Sequence, residues 1–123
     1  MRMWSTIILG FATALLVAAQ GQADSKDGPR RWTKTIKKSS EIVYKIVYLA
    51  EKQTRQFAEF AVIGDGSTDV DIEVYDAAGK LVAKDDHFTD LALVRWVPTK
   101  TQEYTIKVKN LGSEDNVCTM GHN

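Results

Sequence analysis

Six aspartates crowd the middle of this chain: Asp65, Asp69, Asp71, Asp85, Asp86 and Asp90. Carboxylates gathered from adjoining loops are what a hard cation such as calcium requires, because it takes about six to eight oxygen ligands. Asp69 and Asp71 are two apart in a segment of strand character, so both side chains leave the same face. Asp65 precedes them, and the 85–90 loop could close over the pair. The spacing is not that of an EF-hand. In the competing reading the acidic face pairs with Lys84, Lys107 and Lys109, each pair contributing a few tenths of a kcal/mol. Asp65 and Asp69 would then accept backbone hydrogen bonds in a turn. Any calcium bound here is expected to be structural, and no cofactor is required.

Other reactive residue types are few. His87 and His122 are the two histidines, and Cys118 is the one cysteine. His87, in Asp85-Asp86-His87, could serve as a base or a zinc ligand. No second histidine stands at motif spacing, and neither G-x-S-x-G nor H-E-x-x-H occurs. A Cys/His pair can make a nucleophile, but Cys118 and His122 lie near the end of the chain, where backbone is expected to fray. No enzymatic activity is expected. A lone cysteine makes no internal disulfide; Cys118 reads as a small buried hydrophobe in a strand, with an intermolecular bridge as the alternative. Trp32, Tyr44, Tyr48, Tyr75 and Phe88 are candidates for an aromatic platform that stacks sugars.

The elements that must position these groups are strands. Val70, Ile72 and Val74 alternate with Asp69, Asp71, Glu73 and Tyr75. Ala92, Val94 and Trp96 share a face that Pro98 ends, and Tyr104, Ile106 and Val108 share another. Ile42, Tyr44, Ile46 and Tyr48 also alternate, but with Val43, Lys45, Val47 and Leu49 between them, and both faces being fairly apolar suggests a strand covered on both sides. A turn over residues 51–54 and a strand over 55–63 are expected. Gly64-Asp65-Gly66-Ser67, residues 76–80 and Asn110-Leu111-Gly112 carry turn signals, with Gly79 placed where positive φ is needed. Six to eight short strands without a βαβ unit predict an all-β fold, an antiparallel, jelly-roll-like β-sandwich preceded by the helix of a signal peptide.

Several short motifs recur in a known order: Gly64-Asp65-Gly66, Asp69-Val70-Asp71-Ile72, Val74-Tyr75-Asp76, Gly79, Trp96-Val97-Pro98, Tyr104-Thr105-Ile106 and Val108-Lys109-Asn110. From residue 41 onward the chain thereby resembles the bacterial pre-peptidase C-terminal domain (PPC) in its stand-alone exported form. The resemblance implies a non-catalytic β-sandwich that assists secretion, folding or substrate contact. Related collagen-binding modules bind calcium and a protein fibre. This chain carries no peptidase part, so a role as a peptidase appendage does not transfer. It departs from the family pattern at residues 50–54, where a glycine turn is usual, and at Cys118 and His122.

The first 23 residues read as a secretory signal peptide. Arg2 gives a positive start, residues 7–19 are largely apolar, and Gly21-Gln22-Ala23 has the small-x-small form that precedes cleavage. A retained anchor is the competing reading, but the apolar run is shorter than the roughly 20 residues that span a bilayer. Residues 24–40 are basic and read as a linker or arm, and residues 41–123 as the folded domain. Sixteen Lys and Arg balance sixteen Asp and Glu, so no global charge argues for nucleic acid. The expected protein is a non-catalytic secreted or periplasmic module without a membrane span after cleavage. Its partner would be an extracellular protein or polysaccharide, in protein interaction or envelope structure. A carbohydrate-binding module and a small secreted enzyme or inhibitor are the alternatives.

Overall fold

Alternation with period two builds every layer of this protein. A computed structural model describes residues 25–50, 57–87 and 90–123. The expected signal segment, the expected turn at residues 51–54 and Phe88 lie outside the described residues. The elements are β1 (Arg30–Ile36), β2 (Ser40–Tyr48), β3 (Ala58–Ile63), β4 (Val70–Tyr75), β5 (Leu81–Asp85), β6 (Leu91–Trp96), β7 (Gln102–Asn110) and β8 (Asn116–His122). They form two four-stranded sheets, ordered β1-β8-β3-β6 and β2-β7-β4-β5. All pairings are antiparallel. This is the strand order of an eight-stranded jelly roll, so the expected β-sandwich is found. The pairs nest: β4 with β5, β3 with β6, β2 with β7 and β1 with β8.

The core follows from the inward-facing set of each strand. Val70, Ile72 and Val74 of β4, Tyr104, Ile106 and Val108 of β7, and Val94 and Trp96 of β6 are buried as their alternation predicts. Phe60 and Val62 of β3 and Cys118 and Met120 of β8, in the same sheet as β6, complete it. Burying a side chain of this size contributes about 1.5–3 kcal/mol. Tyr48, Trp96 and Tyr104 pack largely edge to face, with ring centroids 5.1–6.0 Å apart, an arrangement that suits the ring quadrupoles.

Side-chain hydrogen bonds pin the connections. Asp65 accepts from the Ser67 amide at 3.0 Å and from the Val117 amide at 2.9 Å, and Gly66 turns the chain at φ 88°. Asp76 accepts from the amides of Ala78 and Lys80 at 3.0 and 2.9 Å, and Gly79 sits at φ 84°, as a left-handed turn position favours. Asn110 and Asn116, both buried, tie the loops at one end of the sandwich. Asn116 accepts from the Asp65 amide and donates to Thr68 Oγ1, both at 2.9 Å.

Two expectations are corrected. The arm expected over residues 24–40 contains β1, paired with β8 over its whole length. Its charges sit at the mouth of the sandwich, where strand geometry and solvation coexist. The sheet therefore begins eleven residues before the expected domain boundary at 41 (41 − 30 = 11). Second, β2 is not covered on both sides. It is an edge strand, and Val43 is 46% exposed.

Candidate functional site

β1 and β2 are edge strands of opposite sheets, and they border one open side of the sandwich. Residues of one parity on each strand, Arg30, Trp32 and Lys34 on β1 and Ile42, Tyr44 and Ile46 on β2, line a cleft of about 360 Å³ there. Lys45 and His122 complete it, and a smaller lobe of about 140 Å³ adds Ser25, Asp27 and Val47. Ile36, next on the same face of β1, is fully buried. The inner face of β1 thus runs from solvated charge into the core.

Packing fixes the floor. Trp32 donates its Nε1–H to the Tyr44 hydroxyl at 3.0 Å. It meets Tyr44, Phe60 and His122 edge-on, at centroid distances of 5.1, 5.9 and 5.6 Å. The Arg30 guanidinium lies over the indole at 5.8 Å, within cation–π range. His122, 4% exposed, stacks on Phe60 at 6.1 Å with 11° between the rings. Burial and then the nearby Arg30 hold its imidazole below the ordinary histidine range, against the pull of its hydrogen bond. His122 is therefore neutral at pH 7. Its Nδ1 lies 2.7 Å from the Asn123 backbone oxygen. That oxygen only accepts, so Nδ1 carries the proton and Nε2 is the acceptor nitrogen.

The rim is basic and unneutralised. Among the described residues Arg30, Lys34 and Lys45 have no carboxylate in ion-pair contact. Asp27, in the smaller lobe, is the one acidic residue in the lining among the described residues.

The sequence-predicted aspartates are distributed differently. Asp65 serves its turn: against the cost of burial, hydrogen bonds from Ser67 and Val117 hold its carboxyl below the usual range. Asp85 accepts from the Leu93 amide at 2.9 Å and lies 2.8 Å from His87 Nδ1. It protects the free edge of β6, and the Leu93 and His87 contacts outweigh burial to lower its pKa. His87 is exposed, and its pKa is raised by Asp85. Asp86 pairs with Lys84 at 3.4 Å. Asp90 packs its Cβ near Gly64. Asp69 and Asp71 each hold one buried carboxylate oxygen without a hydrogen-bond partner among the described residues. Among the described residues no three His, Cys, Asp or Glu side chains come together as a metal-holding group.

Asp71 carries a measurable consequence. Burial, then the carboxylates of Asp69, Asp86 and Asp85, push its pKa up to about 6, with Lys109 opposing. A carboxyl raised in the folded state makes folding take up a proton. Its stabilising contribution is full below the unfolded value near about 3.9 and is lost as pH rises through about 6. Asp71→Asn is therefore expected to melt higher than the parent at pH 7.5, by about 1 kcal/mol after discounting for solvent screening. The difference should vanish near pH 4. Melts across this range check it, and a pH-independent difference would refute it.

Cys118 and His122 lie on one face of β8 with Met120 between them, so strand rise separates them by about 13 Å and they cannot act as a dyad. The expected fraying is also corrected. β8 sits between β1 and β3, and both residues are buried. Of the aromatic candidates, Trp32 and Tyr44 meet in the cleft, Tyr48 is core, and Tyr75 lies on the outward face of β4 under Lys107, 5.1 Å from its ring. Lys45 and the joining of Arg30 and Lys34 to Trp32 were missed by sequence reasoning. The signal available was the shared parity of residues 30, 32, 34 and 36.

The structure thus defines a jelly-roll β-sandwich with a basic, aromatic-floored cleft at one open side. No protein-family model and no curated protein sequence matches this chain. Solved structures share its fold. Aeromonas hydrophila PliG, a periplasmic lysozyme inhibitor of g-type lysozyme, is 12% identical with a TM-score of 0.55, over 85% of this chain and 88% of that one. Yersinia pseudotuberculosis-derived mitogen is 14% identical with a TM-score of 0.53, over 78% and 85%.

Proposed function

We propose that this protein is an exported, non-catalytic module that binds a protein partner through the β1/β2 cleft. The observation that carries the reading is the trio of cations Arg30, Lys34 and Lys45, without ion-pair partners among the described residues, around an apolar floor between two sheet edges. A surface that keeps like charges together without neutralising them is built for an oppositely charged ligand. The signal-peptide-like first 23 residues support export. The resemblance to pre-peptidase C-terminal domains accords with a non-catalytic role. Inhibition of an envelope enzyme is one form of this reading, favoured by the fold shared with a periplasmic lysozyme inhibitor. A sugar-stacking platform is less well served. Arg30 covers one face of Trp32, Lys107 lies over Tyr75, and Tyr48 is buried.

Site-specific photo-cross-linking in the native host tests the reading. A cross-linking residue at Asp27, which lines the cleft's smaller lobe without being one of its cations, is expected to capture one discrete protein. The same residue at Lys100, an exposed loop position, should capture none. No adduct at Asp27, or equal adducts at both positions, would overturn it.

A further inference from the structure

Resting on that reading, we infer that the partner presents an acidic, extended peptide segment, which adds to the free edge of β1 and places its carboxylates against Arg30, Lys34 and Lys45. Three features of the cleft converge on this occupant. Among the described residues β1 has a strand partner, β8, on one side alone, and an edge strand is a template for a further strand. Arg30 and Lys34 stand four residues apart on one face, about 13 Å along the strand. An extended peptide with carboxylates four residues apart on one face, and an aliphatic residue midway between them, matches that repeat, and Lys45 reaches the same cleft from β2. The floor between the cations is apolar, with Ile42 and Ile46 beside the Trp32–Tyr44 pair. It accepts an aliphatic side chain rather than a second charge.

The occupant must also tolerate Asp27, whose carboxylate lines the smaller lobe beside Arg30 and Lys45. This places the acidic end of the segment toward Lys34. An anionic glycan would satisfy the cations but has no backbone amides for the β1 edge, and it finds the indole face already covered by Arg30. The peptide uses charge, edge and floor together.

Fluorescence anisotropy with the full chain tests this, using a labelled nonapeptide in which threonine alternates with glutamate and valine in turn (Thr-Glu-Thr-Val-Thr-Glu-Thr-Val-Thr), so that glutamate and valine share one face. Binding should weaken about tenfold or more in R30A/K34A/K45A, and also as salt is raised, because exposed ion pairs are screened. These side chains are exposed, so an unchanged melting temperature will show that the variant remains folded. A peptide N-methylated at every second residue should lose binding at equal charge. A lysine-valine peptide should not bind. Several results would overturn the inference: no binding of the glutamate-valine peptide, full binding by the triple variant, full binding by the N-methylated peptide, or equal competition by hexagalacturonate, which would show that charge alone is read. If the Asp27 cross-link persists while the nonapeptide fails, the protein-binding site stands and the acidic strand falls. Loss of both removes the site.

Discussion

Asn110→Asp is expected to cost about 3–5 kcal/mol and to leave the domain at the margin of folding. The substitution is isosteric, so packing cannot be blamed. Asn110 is 1% exposed at the end of β7. Its Nδ2 donates to the carbonyls of Ile36 at 3.0 Å and Glu114 at 2.8 Å. Its Oδ1 accepts from Thr68 Oγ1 at 2.7 Å and from the Gly112 amide at 3.0 Å. Two donors and two acceptor sites are thus all used, which also fixes the orientation of the amide. An aspartate would set an oxygen against two carbonyl oxygens. If ionised it is an uncompensated buried charge, and if protonated it supplies one donor where two are needed. A typical domain has about 5–15 kcal/mol in all. Urea unfolding should show a lower midpoint with little change in slope, and partial recovery at acid pH as the carboxyl protonates. A loss under about 1 kcal/mol at neutral pH would show that the network is dispensable.

Trp96→Ala should be comparably severe, at about 3–5 kcal/mol, through a different cause. Trp96 is 6% exposed at the end of β6 and packs at 5.1 Å against Tyr48 and 5.4 Å against Tyr104. Removing the indole opens a cavity that these rings, held from β2 and β7 in the other sheet, cannot collapse to fill. Trp96→Phe keeps a ring in place and should cost less than half as much. Denaturant melts of both variants check the pair. A near-neutral alanine variant would take Trp96 out of the core.

The strands that were legible in the sequence have one dry face and one wet face. β4, β6 and β7 bury every second residue, so composition alone reveals their period. β1 fails that test because of where it lies. Arg30, Trp32, Lys34 and Ile36 share a face, but that face meets the mouth of the sandwich at one end and the core at the other. Polarity therefore changes along the strand instead of across it, and the segment reads as a charged arm. β2 misleads in the opposite sense, since its outward Val43 is apolar yet exposed.

The candidate site was legible only in fragments. Trp32 and Tyr44 were recognisable as aromatic candidates, and Arg30 and Lys34 as part of a basic stretch. Their convergence depends on β1 and β2 lying at matching edges of different sheets, which no local pattern encodes. His122 is the clearest case. It is buried because β8 lies between β1 and β3, through pairings with Arg30 and Phe60 that are far apart in sequence. Among the aspartates, Asp65 behaves as turn chemistry predicts.

The nested pairing also sets an order of assembly. β4 and β5 close across the short turn at residues 76–80, whereas Arg30 must find His122 from the far end of the chain. Each outer pair closes a long loop when attempted first, but a short one once the pairs inside it have zipped. β1 is then the last strand to dock and the first to peel away. The cleft consequently belongs to the least cooperative margin of the molecule, and an added strand there would act as a clasp, lending the outermost rung the neighbour that the sheet itself does not provide.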